Sequence, residues 1–63
     1  MEYIEILFKN LTDNEKELLI ALLADIGFDG FEEENKMLKA FIPSKEFNEA
    51  LFIKTVEIKN IKY

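Results

Sequence analysis

The spacing of apolar residues changes along this chain, and this change limits the fold more than any other feature of the sequence. Residues 2–9 alternate, with Ile4, Ile6 and Phe8 on one side, which is the period of a half-buried β-strand. In residues 12–26 the apolar positions recur at three and four, which is the period of an amphipathic helix. The sequence therefore predicts a domain in which helix and sheet share one core.

The predicted helix has sequence signals at both ends. Thr12 and Glu15 form a capping-box pattern, in which each side chain accepts a hydrogen bond from the other residue's backbone N–H. Gly27 stands where a left-handed C-cap residue is expected, so the helix should run to about Ile26. Its predicted apolar stripe consists of Leu18, Leu19, Leu22, Leu23 and Ile26.

A β-hairpin is predicted after the helix. Residues 31–34 and 37–42 are strand-like segments on either side of the turn-forming pair Asn35-Lys36. The consecutive glutamates of the first segment are typical of an edge strand that is protected from aggregation. Pro43 ends the second segment because it cannot donate a hydrogen bond to the ladder.

The remaining residues predict a second helix and a fourth strand. Ser44 is the expected N-cap of a helix that ends at about Phe52. The predicted buried face of this helix consists of Phe47, Ala50 and Leu51. Residues 55–59 alternate and predict the fourth strand. The apolar phase changes at Ile61 and Tyr63, so either a bulge interrupts this strand or the strand ends near Lys59.

The order of the predicted elements is β-α-β-β-α-β, which is the ferredoxin-like arrangement. We therefore predict a single α+β domain over residues 1–63, with a four-stranded antiparallel sheet and two helices on one face. The first and third strands should be central. The side chains expected to meet the helices are Ile4, Ile6, Phe8, Leu38, Ala40 and Ile42.

The opposite face of the sheet is the candidate interaction surface. Residue alternation places Tyr3, Leu7, Phe41 and Lys39 on it, with Glu5 and Lys9 around them. Aromatic and aliphatic anchors ringed by charged residues are the usual anatomy of a protein-binding surface. We predict that Tyr3, Leu7, Phe41 and Lys39 bind a partner, and we call these four residues the open-face cluster.

The composition argues against several other kinds of site. The 63 residues include no Cys and no His, so disulfides are impossible and the usual zinc ligands and catalytic bases are missing. The only glycines are Gly27 and Gly30, which do not form a phosphate-binding or dinucleotide-binding loop. The net charge of −5 disfavours nucleic acid and anionic membranes as partners. We therefore predict no catalytic, cofactor-binding or metal-binding residue, and a cytoplasmic location because no signal peptide or long apolar run is present.

Three segments carry a family resemblance. After an N-terminal strand that ends near Phe8, residues 22–33 read LLADIGFDGFEE and residues 38–43 read LKAFIP. In these segments the chain resembles the start of the ribosomal protein L-eleven methyltransferases of the PrmA type. The resemblance extends to about Phe47. It implies a ferredoxin-like N-terminal domain that recognises the ribosomal protein substrate. In that family a separate C-terminal domain binds S-adenosylmethionine and transfers the methyl groups.

This chain has no room for such a catalytic domain. The resemblance therefore implies the N-terminal fragment of a longer chain, a substrate-recognition domain with no activity and no cofactor of its own. S-adenosylmethionine is expected only for the full-length enzyme. The expected partners are the ribosomal protein substrate or the missing catalytic domain. Two alternatives stay open, namely an oligomerisation module that forms a homodimer and a free-standing ferredoxin-like small-molecule sensor.

Overall fold

The computed structural model describes residues 2–58, and this part of the chain folds into an antiparallel sheet with helices packed on it. The elements in chain order are β1 (Tyr3–Phe8), α1 (Asp13–Asp25), β2 (Gly30–Glu34), β3 (Met37–Pro43), a 3-10 turn (Ser44–Glu46) and α2 (Glu49–Ile58). The predicted α+β class is confirmed.

The sheet within residues 2–58 has three strands in the order β1-β3-β2, and both neighbouring pairs are antiparallel. On one side Ile6 lies opposite Ala40, and on the other side Phe31 lies opposite the same residue. The third strand is central, as predicted. The first strand lies at an edge of the described sheet rather than at its centre.

Local hydrogen bonds define where α1 begins. The backbone N–H of Glu15 donates to Oγ1 of Thr12 at 3.1 Å, and the backbone N–H of Thr12 donates to Oε1 of Glu15 at 2.8 Å. The predicted capping box is therefore confirmed. It satisfies backbone donors that have no partner inside the helix.

A Schellman motif ends α1. The backbone N–H of Phe28 donates to the carbonyl of Leu23 at 3.0 Å, and the N–H of Gly27 donates to the carbonyl of Ala24 at 3.3 Å. Gly27 has φ 112°, a conformation that favours glycine. Leu23 and Phe28 are both buried, which supplies the hydrophobic contact that usually accompanies this motif.

One hydrophobic core lies between the sheet and the helices. The side chains of Phe8, Leu38, Ala40 and Ile42 are buried in it, and Ile4 and Ile6 pack against its margin. The prediction of the helix-facing side of β1 and β3 is therefore confirmed. The buried residues contributed by the helices and loops are Leu11, Leu19, Leu23, Phe28, Phe52 and Val56. Because α1 and α2 contribute to the same cluster, both helices cover the same face of the sheet.

The predicted stripe of α1 is only partly buried. Leu19 and Leu23 are fully buried, but Leu18 is 40% exposed. Lys16 is only 8% exposed, and its Nζ donates to the carbonyl of Glu34 at 3.0 Å. This side chain joins the first turns of α1 to the end of β2, which the apolar pattern did not indicate.

The predicted start of the second helix was wrong. Ser44 belongs to a short 3-10 turn, and α2 begins at Glu49. The residue that caps α2 is Asn48, whose Oδ1 accepts a hydrogen bond from the N–H of Leu51 at 3.0 Å. The predicted buried face was wrong for Ala50 and Leu51, which are exposed, whereas Phe47 is half-buried and packs against the core.

The predicted fourth strand was wrong for residues 55–58, which continue α2. Val56 lies one helical turn after Phe52, and both side chains are buried. The ring of Phe52 lies 6.3 Å from that of Phe8 and 6.0 Å from that of Phe28, measured between centroids. The helix therefore continues because burial of this face stabilises it. The predicted strand residues Lys59, Ile61 and Tyr63 lie outside the described residues.

Candidate interaction surface

The face of the sheet opposite the helices is formed by alternate residues of the three strands. On β3, Met37, Lys39 and Phe41 are half-buried, whereas the residues between them are fully buried in the core. The strand register assigns the residues of β1 and β2 to the same two faces. The open face therefore contains Tyr3, Glu5, Leu7, Gly30, Glu32, Glu34, Met37, Lys39 and Phe41.

All four residues of the open-face cluster lie on this face, as predicted. Leu7 lies directly opposite Lys39, and Phe41 lies opposite Glu5. Tyr3 lies beside Glu5 on the same face of β1, and its side chain is 50% exposed. The cluster is therefore contiguous across β1 and β3. Of the two charged residues expected around it, Glu5 lies on this face between Tyr3 and Leu7, and Lys9 is exposed just after β1 ends.

The ring of Phe41 lies over Gly30 of the neighbouring strand. A methyl group built on Gly30 would meet Cβ and Cδ2 of Phe41 at 3.5 Å, which is ordinary van der Waals contact. The space between Gly30 and the Phe41 side chain is therefore large enough for a methyl group. Phe41 itself is half-buried on the central strand, opposite Gly30 on one side and Glu5 on the other.

The side chain of Tyr3 reaches Asp29, the residue that immediately precedes β2. Its phenol oxygen donates a hydrogen bond to Oδ2 of Asp29 at 3.3 Å. The negative charge of Asp29 raises the pKa of the Tyr3 phenol, and partial burial and the hydrogen bond raise it further. Asp29 is itself positioned by its backbone N–H, which donates to the carbonyl of Phe41 at 3.1 Å.

Acidic side chains dominate the polar part of this surface. Glu5, Glu32 and Glu34 lie on the open face, and Lys39 is the one basic residue among the strand positions of that face. Lys39 lies between Leu7 and Glu32 in the register, so its charge is opposed by a neighbouring carboxylate. The open-face cluster therefore has one carboxylate, Glu5, among its residues and two more, Glu32 and Glu34, along its β2 side.

Sequence analysis alone did not identify Asp29, Glu32, Glu34 or Met37 as parts of this surface. For three of them a usable signal was present. The two-residue turn at Asn35-Lys36 sets the register of the hairpin, which brings residue 34 opposite 37 and residue 32 opposite 39. The contact between Tyr3 and Asp29 had no such signal, because it joins residues 26 positions apart.

A concave region of the surface lies at the start of α1. It has a volume of about 380 Å³ and is lined by Asn10, Leu11, Thr12, Asp13, Asn35 and Lys36. Two of these residues, Asn10 and Lys36, have left-handed backbone conformations, with φ 58° and 61°. The N–H of Leu11 donates to the carbonyl of Lys36 at 2.9 Å, so this region is a junction between a loop and the hairpin turn.

The described part of the chain has neither a metal-binding cluster nor a membrane-spanning helix. Residues 2–58 contain no group of three or more His, Cys, Asp or Glu side chains arranged to hold a metal ion. None of the described helices is long and apolar enough to cross a membrane.

No protein-family model, curated protein or solved structure matches this chain.

Proposed function

We propose that this chain is the substrate-recognition domain of a protein methyltransferase that acts on a large-subunit ribosomal protein, and that the open face of the sheet is its binding surface. The observation that carries the proposal is the open-face cluster together with the glutamates Glu5, Glu32 and Glu34 on the same face. The methyl transfer itself would be performed by a separate domain that binds S-adenosylmethionine.

The apolar part of the surface supports recognition of a protein. Tyr3, Leu7 and Phe41 lie on one face of two paired strands, and Tyr3 also makes a hydrogen bond to Asp29, so the strands place these three side chains beside one another for a partner. Aromatic side chains near the centre of an interface commonly supply most of its binding free energy. A partner that covered Phe41 would remove this half-buried ring from water.

The charge of the surface supports a basic partner. Glu5 lies among the residues of the cluster, Glu32 and Glu34 lie beside it on β2, and the whole chain carries a net charge of −5. Ribosomal proteins bind RNA and are accordingly rich in Lys and Arg. Opposite charges on the two partners would speed their association and align them.

The topology is compatible with a ferredoxin-like sheet. The order β1-β3-β2 leaves the position beside β1 open among the described residues, and a fourth strand occupies that position in the ferredoxin-like arrangement. We therefore propose a ferredoxin-like arrangement for this domain, in which a fourth strand pairs with β1.

Calorimetric titration of the chain with the purified ribosomal protein substrate tests the proposal. Phe41→Ala should weaken binding by about 1–3 kcal/mol, the range typical of a central anchor. The matched control is Leu51→Ala, which removes an exposed apolar side chain on α2. If both variants bind as the parent does, or if the parent shows no binding, the proposal is wrong.

A second titration separates recognition from catalysis. The chain alone should show no measurable binding of S-adenosylmethionine, because its sequence contains no glycine-rich loop for the cofactor. Micromolar binding at one site per chain would contradict the assignment of recognition and catalysis to different domains.

A further inference from the structure

The outer edge of β1 carries backbone groups that no strand within residues 2–58 pairs. The N–H of Ser44 donates to the carbonyl of Glu2 at 2.9 Å, so the even-numbered residues of β1 direct their backbone groups toward β3. Backbone groups alternate sides along a strand, and Tyr3, Glu5 and Leu7 therefore direct their N–H and C=O groups outward. The position of Pro43 opposite Tyr3 agrees with this, because proline has no N–H to donate.

The same three residues also place their side chains on the open face. A strand added beside β1 would therefore gain two kinds of contact at once. Its backbone would pair with the outward groups, and its alternate side chains would lie beside Tyr3, Glu5 and Leu7. The added strand would extend the open face rather than cover the core.

A second copy of this chain fits the edge poorly. An antiparallel pairing that used all three outward residues would place Tyr3 opposite the Leu7 of the other copy. The same register would place Glu5 directly opposite the Glu5 of the other copy. Like charges directly opposite each other are destabilising, and each chain carries a net charge of −5.

We propose that the edge of β1 binds an extended, basic segment of a partner protein as an added fourth strand. The segment has Lys or Arg opposite Glu5 and apolar residues opposite Tyr3 and Leu7. This pattern of apolar, basic and apolar residues at alternate positions is symmetric, so it suits either strand direction. The proposal rests on the proposed function for the source of the segment, and adds the mode of binding and the side-chain pattern.

Amide hydrogen exchange measured by NMR tests the strand addition. The probe is a synthetic peptide, Ser-Val-Thr-Lys-Thr-Val-Ser, with both ends blocked. In the free chain the amides of Tyr3, Glu5 and Leu7 should exchange faster than those of Ile4 and Ile6, and peptide should slow them specifically. The proposal is overturned if these amides are already protected at low protein concentration, or if saturating peptide leaves them unchanged.

A pair of substitutions at one position separates the backbone from the side chain. Leu7→Pro removes an outward N–H without removing a bond to β3, and proline is tolerated on edge strands in that orientation. We expect it to weaken peptide binding about tenfold, as for one lost hydrogen bond with an unpaired partner. Leu7→Ala keeps the N–H and should have a smaller effect. Equal effects would overturn pairing through the backbone; if Leu7→Pro does not fold, the exchange measurement on the parent chain decides.

A charge exchange tests the predicted side-chain pattern. The parent chain should prefer the lysine peptide over the same peptide with Glu in place of Lys, and Glu5→Lys should reverse this preference. The ratio of the two dissociation constants should be about two- to fivefold in each protein, as for one cross-strand charge pair. Glu57→Lys makes the same change of charge on the exposed side of α2 and should leave this preference unchanged. An equal shift in both variants would show that net charge alone controls binding.

The two proposals fail in different ways. If Phe41→Ala abolishes binding of the ribosomal protein and Leu7→Pro does not affect it, strand addition is wrong and recognition by the open face remains. If the peptide protects the edge amides but the ribosomal protein does not bind at all, the substrate is wrong and strand addition remains.

Discussion

The two glycines of this chain should respond in opposite ways to substitution by alanine. Gly27 has φ 112° in the Schellman motif, and a methyl group there would lie 3.4 Å from Cδ1 of the buried Ile42. Gly30 lies in β2 without a left-handed φ, and a methyl group there would lie 3.5 Å from the ring of Phe41. The same chemical change is thus made at a strained and at an unstrained position.

The expected magnitudes follow from these conformations. Gly27→Ala should lower the free energy of unfolding by about 1–2 kcal/mol, the usual cost of a left-handed L-residue, before any cost of displacing Ile42. Gly30→Ala should raise it by about 0.4–1 kcal/mol, because alanine loses less backbone entropy than glycine on folding. For a domain of this size each kcal/mol moves the melting temperature by roughly 4–8 °C.

Thermal melts and urea titrations of the two variants measure the difference. Circular dichroism of the folded states should show unchanged secondary structure in both. The reasoning is refuted if Gly27→Ala is as stable as the parent, since the C-cap would then not need a glycine. It is also refuted if Gly30→Ala is the less stable variant, since the ring of Phe41 would then need closer contact with the backbone than 3.5 Å.

Three further substitutions test other parts of the structure. Lys16→Met should lower the free energy of unfolding by about 1.5–3 kcal/mol in urea titrations, because it removes a hydrogen bond from a charged group to the carbonyl of Glu34; an unchanged value would show that this bond contributes nothing. Phe52→Ala should leave a large unfolded fraction, visible as a second set of NMR signals at 25 °C, because its cost of about 3–5 kcal/mol equals the roughly 3–5 kcal/mol that such a small core supplies; a variant as completely folded as the parent would contradict the burial of α2. Asp29→Asn should lower the pKa of the Tyr3 phenol, followed by NMR of its ring, because the charge that raises it is removed. The folded state of the parent holds the Tyr3 proton more tightly than the unfolded state. The stability linked to this group is therefore complete below the unfolded pKa, and it decreases as the pH rises through the folded pKa. Asp29→Asn should reduce this alkaline loss, and an identical loss in both proteins would contradict the assigned cause.

Features that depend on neighbouring residues were predictable from the sequence. The capping box of Thr12 and Glu15 and the C-cap at Gly27 use hydrogen bonds between residues a few positions apart, so the limits of α1 were nearly correct. The alternation in β1 and β3 likewise predicted which side chains face the helices. It therefore also predicted the positions of Tyr3, Leu7, Lys39 and Phe41 on the open face, but not those of Met37 and the residues of β2.

The region after Pro43 was predicted incorrectly because its pattern fits two periods. Val56 and Ile58 alternate like a strand, but Val56 also follows Phe52 at helical spacing. Over so few residues the sequence does not distinguish these periods. The contacts of Phe52 with Phe8 and Phe28 select the helix, because they bury both Phe52 and Val56 against the core.

The sequence by itself determined the helix–sheet class, the limits of α1 and the two faces of the sheet, because each follows from spacing or from hydrogen bonds within a few residues. The tertiary structure alone decided the continuation of α2, the burial of Lys16 and the contact between Tyr3 and Asp29. These features join residues that are distant in sequence, or settle an ambiguous pattern by burial. They form only when the chain has packed, and no local pattern specifies them.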